Sequence, residues 1–242
     1  MEMKADYHIH SIYSKRIHAK HTIAQLAEQA EKLGLTEIAI TDHGPKHLLF
    51  GINPKKIDKA KQEVEQANNN TNVKVYLGVE ANIVGQDGTI DISDEDIQKL
   101  DILLMGYHKG TKCDFIRYFF NSKRNSAEQI EKNTQAYINA INKYNIAIIT
   151  HLNEYIKVDV KRVAEACAKK GTFIELNRRH LKLTKEDAAA LVESGVNLVL
   201  SSDAHKKSNV GKYGDCIKFI EENNIPLERV KNLHGPIEFL KP

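Results

Sequence analysis

Histidine and carboxylate recur in this chain at spacings that suit metal ligation. In Asp6-Tyr7-His8-Ile9-His10, two imidazoles stand two residues apart. On an extended strand side chains alternate with period two, so both rings leave the same face. Asp203-Ala204-His205 repeats the spacing with a carboxylate first, and Asp42-His43, Glu80, His108 and His151 lie between. Imidazole and carboxylate ligands without thiolate suit zinc, iron or manganese. A lone His-x-His is a common coincidence among surface residues. Two such pairs with single ligands between them need elements that bring them together.

Those elements can be read from the apolar pattern. Short β-branched runs predict strands at Asp6–Ile9, Glu37–Thr41, Val73–Val79, Asp101–Gly106, Ile146–Thr150, Thr172–Leu176 and Asn197–Ser201. Segments of helical period predict helices at Thr22–Leu33, Pro54–Asn68, Ser126–Tyr144, Asp159–Lys170, Thr184–Ser194 and Gly211–Asn223. Thr22-Ile23-Ala24-Gln25 reads as a capping box, and Leu33-Gly34 as a helix stop. Gly85–Asp91 reads as a turn cluster, and Lys109–Asn125 as a longer, irregular insertion. The alternation argues for βα units, a parallel sheet and a single domain over residues 1–242. Every strand then delivers a polar group at its carboxyl end: His8 and His10, Asp42-His43, Glu80, His108, His151, Asn177 with Arg178-Arg179, and Asp203 with His205. Only a closed or nearly closed (β/α) barrel gathers such ends on one face, where active sites of these barrels are built. An open sheet would spread them along an edge.

Composition narrows the function classes. The chain has 242 residues, 41% hydrophobic and 28% charged, which allows a sizeable core and argues against wholesale disorder. No apolar run approaches the roughly 18–20 residues of a membrane span. Met1–Asp6 lacks the apolar segment of a signal peptide. Three scattered cysteines (Cys113, Cys167 and Cys216) fit reduced thiols in a cytoplasmic protein. Net charge is +3, from 35 basic and 32 acidic residues spread along the chain, unlike the concentrated basic face of a nucleic-acid binder.

Taken together, these motifs resemble those of the PHP (polymerase and histidinol phosphatase) metal-dependent phosphoesterases. They are Asp6-Tyr7-His8-Ile9-His10, Ile40-Thr41-Asp42-His43-Gly44, Gly78-Val79-Glu80-Ala81-Asn82-Ile83, Tyr107-His108, Thr150-His151 and Ser202-Asp203-Ala204-His205. The likeness runs from Asp6 to about Lys206, and the chain is most similar to the small stand-alone bacterial phosphatases of that family. It implies a distorted seven-stranded barrel whose site holds two or three divalent ions, zinc foremost, with manganese or iron as alternatives. It also implies the ligand set. His8, His10, Glu80 and Asp203 would hold one ion. Glu80 would bridge to a second, held by His108 and His151, and His18, His43 and His205 would hold a third. His18 lies eight residues after His10, a wide interval that leaves His21 as an alternative ligand.

The chemistry expected is attack of a metal-bound hydroxide on a small phosphomonoester, with Glu80 and Asp203 at its centre and no covalent protein intermediate. A DNA-end phosphatase or exonuclease acting with a polymerase or repair partner is the alternative, disfavoured by the dispersed charge. A metal-stabilised non-catalytic module and a deaminase-like amidohydrolase rank lower. Arg178 and Arg179 are candidates to grip phosphate, because guanidinium offers a planar fork to two oxygens. Strand alternation favours Arg179. Asn177 and Asp42 are candidates to orient ligands or substrate. Glu175, in register with Asn177, reads as a hydrogen-bonded interior carboxylate. His47, His180 and His234 read as surface histidines, Lys46, Lys109 and Lys112 as ordinary lysines near the mouth, and Tyr118-Phe119-Phe120 as the buried side of a covering helix.

Overall fold

Apolar runs alternate with helix-period segments along the chain, and each run takes its place in one sheet. In the computed structural model, which describes residues 2–15, 18–115 and 125–242, seven strands pair in the order of the chain. They are β1 (Ala5–Ile9), β2 (Glu37–His43), β3 (Lys74–Asn82), β4 (Ile102–Gly106), β5 (Ile148–Ile149), β6 (Phe173–Asn177) and β7 (Leu198–Ser201). All six neighbouring pairs are parallel. The helices among the described residues are α1 (Ile23–Lys32), α2 (Ile57–Asn70), α3 (Asp94–Ile97), α4 (Ala127–Lys143), α5 (Val160–Lys170), α6 (Lys185–Ser194) and α7 (Cys216–Glu222). None is long and apolar enough to cross a membrane. Tyr118-Phe119-Phe120 and much of the Lys109–Asn125 insertion lie outside the described residues.

The sheet curls into a nearly closed, distorted seven-stranded barrel. At its seam, β1 meets the chain just past β7. Ala204 bridges Ile9 in parallel, and the His10 N–H donates to the Ala204 carbonyl at 2.9 Å. Lower down, the side chain of Asn232 stands in for missing ladder bonds. Its Nδ2 donates to the carbonyls of Ala5 (2.8 Å) and Leu200 (2.7 Å), while its Oδ1 accepts from the Leu200 N–H (2.9 Å). One fully buried amide thus joins the first strand to the last.

Two apolar layers hold the barrel. Outward residues such as Ile38, Ile40, Val75, Leu77, Val79, Leu103 and Met105 pack with the buried faces of the helices. Inward residues at the amino-terminal half form a second cluster of Ala5, Tyr7, Ala39, Ile102, Leu104, Ile148, Phe173 and Val199, together with Ile237. Phe239 meets the rings of Tyr7 and Tyr76 edge-on, at 5.9 and 5.2 Å between centroids. The carboxyl-terminal tail therefore closes the bottom of the barrel and leaves its polar half at the top.

Local signals account for most boundaries. Thr22 and Thr184 close capping boxes on Gln25 and Asp187, and Gly171 and Gly195 end α5 and α6 in the left-handed conformation. The helix expected from Gly211 begins only at Cys216, because Gly211 (φ 74°) and Gly214 (φ 50°) hold left-handed backbone. The helix expected from Pro54 opens with a 3-10 turn before α2. Strands β2 and β3 run past their expected ends to include His43 and Glu80 through Asn82.

Candidate metal centre

The upper barrel is polar because the inward positions near the strand ends are polar. On β2, β3 and β6 simple alternation carries Ala39 to His43, Tyr76 to Glu80 and Asn82, and Phe173 to Glu175 and Asn177. Strand β1 needs more. Its register on β2 slips between Asp6 and Ile9, where three steps on β1 oppose two on β2. This bulge lets Tyr7 join the lower core while His8 and His10 also turn inward. His151 (φ 29°) and Asp203 (φ 47°) follow β5 and β7 in left-handed backbone, which non-glycine residues seldom adopt. Such backbone at two site residues places their side chains where plain strand geometry would not.

Glu80 lies at the centre and is fully buried. Its Oε2 faces His43 Nδ1 at 3.0 Å, His8 Nε2 and His108 Nε2 at 3.3 Å, and His10 Nε2 at 3.8 Å. Its Oε1 lies 2.7 Å from His151 Nε2. Asp203 Oδ1 lies 3.3 Å from His10 Nε2. On the outer side, His18 Nε2 approaches His205 Nε2 to 2.5 Å and His43 Nε2 to 3.1 Å. Three sets of ligand atoms converge closely enough to share an ion: His8, His10 and Asp203; His43, Glu80 and His108; and His10, His43 and His205.

All nine side chains implied as ligands lie in this cluster, but the grouping differs: His10 and His43 each enter two of the three sets, and His18 and His151 enter none, although His18 lies against His43 and His205 and His151 against Glu80. His18, stacked on Phe50 at 3.9 Å, joins the cluster. His21 does not; its carbonyl accepts from the Ile12 N–H at the foot of the loop.

The donor set fits cations. His8 Nε2, both ring nitrogens of His10, His43 Nδ1 and Glu80 Oε2 are buried without a hydrogen-bond partner. Orphaned polar atoms normally cost about 1–3 kcal/mol each. Five gathered at one point mark a place where a cation completes the bonding. Electrostatics agrees. Burial would raise the Glu80 carboxyl, but His108, His8 and His151 hold it well below the usual range. Burial and neighbouring imidazoles push His10 and His43 well below 6.5, and His18 to about 3. These rings keep lone pairs available.

Further residues behind the cluster orient its rings. His8 Nδ1 lies 2.6 Å from Glu175 Oε1, and the His151 N–H donates to Glu175 Oε2 at 2.7 Å. Ser201 Oγ and Asn177 Nδ2 also donate to this carboxylate. Burial opposes charge on Glu175, yet His8 and His151 bring its carboxyl down to about 2. His108 Nδ1 lies 2.9 Å from Asn82 Oδ1, and the Asn82 amide donates in turn to Asp91 at 2.9 Å. A partner on Nδ1 leaves Nε2 for a metal.

The sequence-predicted substrate residues separate. Arg179 Nη1 lies 2.8 Å from His205 Nδ1 and 3.6 Å from Asp203 Oδ1, at the mouth. Arg178 turns the other way, into a cavity with Leu33, Leu35, Gly211 and Gly214 on the outside of the barrel. Asn177 Oδ1 accepts from the N–H groups of Arg179 (2.8 Å) and His180 (3.0 Å), so it shapes the turn carrying both. Among the described residues, Asp42 makes no hydrogen bond or ion pair to an imidazole. It accepts from the N–H and hydroxyl groups of Ser11 and Ser14, and so ties down the loop that leads to His18.

Four contributors went unassigned in the sequence. His47, expected at the surface, is 6% exposed, with its ring 5.1 Å from His43 and 5.6 Å from His108. His180, also expected at the surface, pairs with Glu154 (3.2 Å) and faces Asp203 (3.6 Å). His234 is exposed as expected. Asn82 shares the parity of Glu80 and could have been found that way. Nothing local marks Asp91 as its partner.

Known proteins point the same way. A family model described as PHP domain matches residues 6–179. A probable phosphatase of Caldanaerobacter subterraneus subsp. tengcongensis is 34% identical, over 96% of this chain and 88% of its own length. The probable phosphatase YcdX of Shigella flexneri is 32% identical, over 94% of this chain and 89% of its own. Among solved structures, histidinol phosphate phosphatase from Lactococcus lactis, complexed with zinc, L-histidinol and phosphate, has a similar fold. Its TM-score is 0.55 at 16% identity, covering 85% of this chain and 87% of that one. The putative histidinol phosphatase hisK from Listeria monocytogenes gives 0.61 at 14%, covering 86% and 98%.

Proposed function

The chain belongs to the PHP domain family, and from that premise we propose that it hydrolyses small phosphomonoesters at a site of two or three divalent ions. Zinc is the first choice of metal, with manganese or iron as alternatives. The observation that carries the reading is the convergence of eight histidines and two carboxylates, with Glu80 Oε2 and several ring nitrogens buried and unpartnered. His8, His10 and Asp203 would hold one ion, and Glu80 would be shared with a second beside His108 and His151. His18, His43 and His205 would hold a third, with His43 also turned towards Glu80. The eighth histidine, His47, is not assigned to an ion. Ions bound there would neutralise phosphate charge, acidify a coordinated water and steady the leaving oxygen.

The chain's own residues supply the rest. Arg179, at the mouth beside His205 and Asp203, would pair its guanidinium with phosphoryl oxygens. Glu175 and Asn82 fix the rings of His8 and His108, which keeps the ligand geometry from relaxing. The buried thiols Cys167 and Cys216 suit a cytoplasmic setting.

The deciding experiment is phosphate release by metal-loaded protein from sugar phosphates, histidinol phosphate, nucleotides and single-stranded DNA ends. Release from small monoesters but not from DNA ends is expected. Activity confined to DNA ends would favour the end-processing alternative, and release from neither would remove the phosphatase reading.

A further inference from the structure

Beside the metal centre lies a second concavity, of about 810 Å³, within the range of pockets that hold metabolite-sized ligands. His47 lines both it and the metal cavity, so the two are neighbours across one side chain. Its wall carries three lysines from separate loops: Lys15 after β1, Lys46 after β2 and Lys112 after β4. Among the described residues, no carboxylate lies within ion-pair distance of any of these ammonium groups. Two aspartates share the wall. Asp87 is already bonded to the Thr89 N–H and hydroxyl and paired with Lys143 at 3.6 Å. Asp114 accepts from the Gln86 N–H at 3.2 Å. With Asp87 balanced by Lys143 and Asp114 still charged, the three lysines leave the wall with a surplus of positive charge.

His47 adds direction. Its Nδ1 accepts from the N–H groups of Leu49 (3.3 Å) and Phe50 (3.2 Å). In the neutral ring the single proton must then sit on Nε2, which makes His47 a hydrogen-bond donor at the doorway rather than a ligand. Leu48 and Val84 contribute apolar surface between the charges.

On the premise of the proposed phosphatase, we infer that this cavity receives the leaving group, and that the preferred substrates carry a second anion, a phosphate or a carboxylate, beyond the ester being cleaved. The transferred phosphoryl group would sit at the metals, the body of the substrate would pass His47, and the distal anion would meet Lys15, Lys46 and Lys112. A monoester with a neutral tail would fill the same space without answering the lysines.

Binding tests this apart from turnover. Three non-hydrolysable phosphonates of equal length, ending in hydroxyl, carboxylate or phosphate, are titrated calorimetrically into the metal-loaded protein. The anion-ended ligands should bind about tenfold tighter than the hydroxyl-ended one or better, equivalent to one decade in Kd. Tightening by only one of the two identifies the distal group. The variant carrying Lys15→Gln, Lys46→Gln and Lys112→Gln should close the gap. Lys161→Gln, which removes one charge from the exposed pair between Lys161 on α5 and Glu193 on α6, should leave it open. Equal affinities in the unaltered protein, or a gap that survives the triple substitution, would overturn the inference. A gap that closes as expected in a protein that releases no phosphate from any monoester would remove the phosphatase reading but keep the anion pocket.

Discussion

Glu80 faces five imidazoles with two oxygens, and no other side chain can meet that demand. Glutamine is nearly the same size but replaces one acceptor with an amide donor and removes the charge that bound cations would share. Glu80→Gln and Asp203→Asn should each lower turnover by several orders of magnitude while the far-ultraviolet circular dichroism stays unchanged. Near-normal activity of either variant at saturating metal would mean the ligands are misassigned. The arginines separate by position. Arg179→Met should raise KM and weaken inhibition by inorganic phosphate without changing metal content, and lysine there should restore only part of the loss. Arg178→Met, on the other side of the barrel wall, should leave both constants as they were. The nine residues proposed as ligands were legible as a cluster in the sequence because histidine and carboxylate at successive strand ends are rare by chance. His47 and His180 were not, because they sit in loops where no periodicity says which way a side chain turns. Asp91 was hidden for a related reason: it reaches Asn82 through a turn at Gly88, and that contact depends on how the loop folds back.

At the scale of the elements, the clustered histidines and carboxylates depend on how strands end and join. The strand pattern was legible in its apolar stretches, yet β2 and β3 run on through His43 and Asn82. Polar residues read as loop in a sequence, whereas here the barrel interior demands them. The bulge in β1 left no trace in the pattern, since His8-x-His10 looks like plain alternation. Two substitutions probe this layer. Asn232→Ala strands the Leu200 N–H and the carbonyls of Ala5 and Leu200 at the seam. It should cost about 2–4 kcal/mol in urea unfolding, the usual range for a broken buried network. It should also weaken metal binding, because β1 and the end of β7 carry His8, His10 and Asp203. A loss below about 0.5 kcal/mol, the scale of ordinary surface changes, would mean that the seam is held elsewhere. At Gly106, a Cβ would lie 2.9 Å from His151 Cε1 and closer still to Thr150 Oγ1. Gly106→Ala should therefore displace His151 and lower metal occupancy more than it lowers thermal stability. Full occupancy in that variant would show that β5 can shift intact.

Across the whole molecule, seven strand ends converge because the barrel closes, and that closure was legible only through the chemistry it serves. Alternation of strand and helix fits an open sheet equally well. The polar residue at the end of every strand made sense only if those ends met. Convergence has a thermodynamic consequence. Unmetallated, the centre keeps an ionised glutamate and several orphaned ring nitrogens away from water. Ions that bind the folded chain and not the unfolded one stabilise it by mass action, about 4 kcal/mol at a thousandfold excess over Kd. For a domain of this size, that corresponds to a rise in Tm on the order of 10 °C. Chelation should lower Tm by that order, and readdition of zinc or manganese should restore it. Acid should erode the difference. A ligating histidine is neutral. Burial would lower the pKa of His8 and His151, but the carboxylates of Glu80 and Glu175 hold both above 6.5, so in the folded chain these rings take up protons in competition with the ions as pH falls. The gap in Tm between loaded and chelated protein should therefore be wide at pH 8 and nearly closed by pH 5, with metal released in parallel. A gap that persists at pH 5 with the metal still bound would place the ions on carboxylates rather than on the histidine cluster. An unchanged Tm on chelation, with less than one equivalent of metal found at any pH, would mean that the cluster is stable without ions.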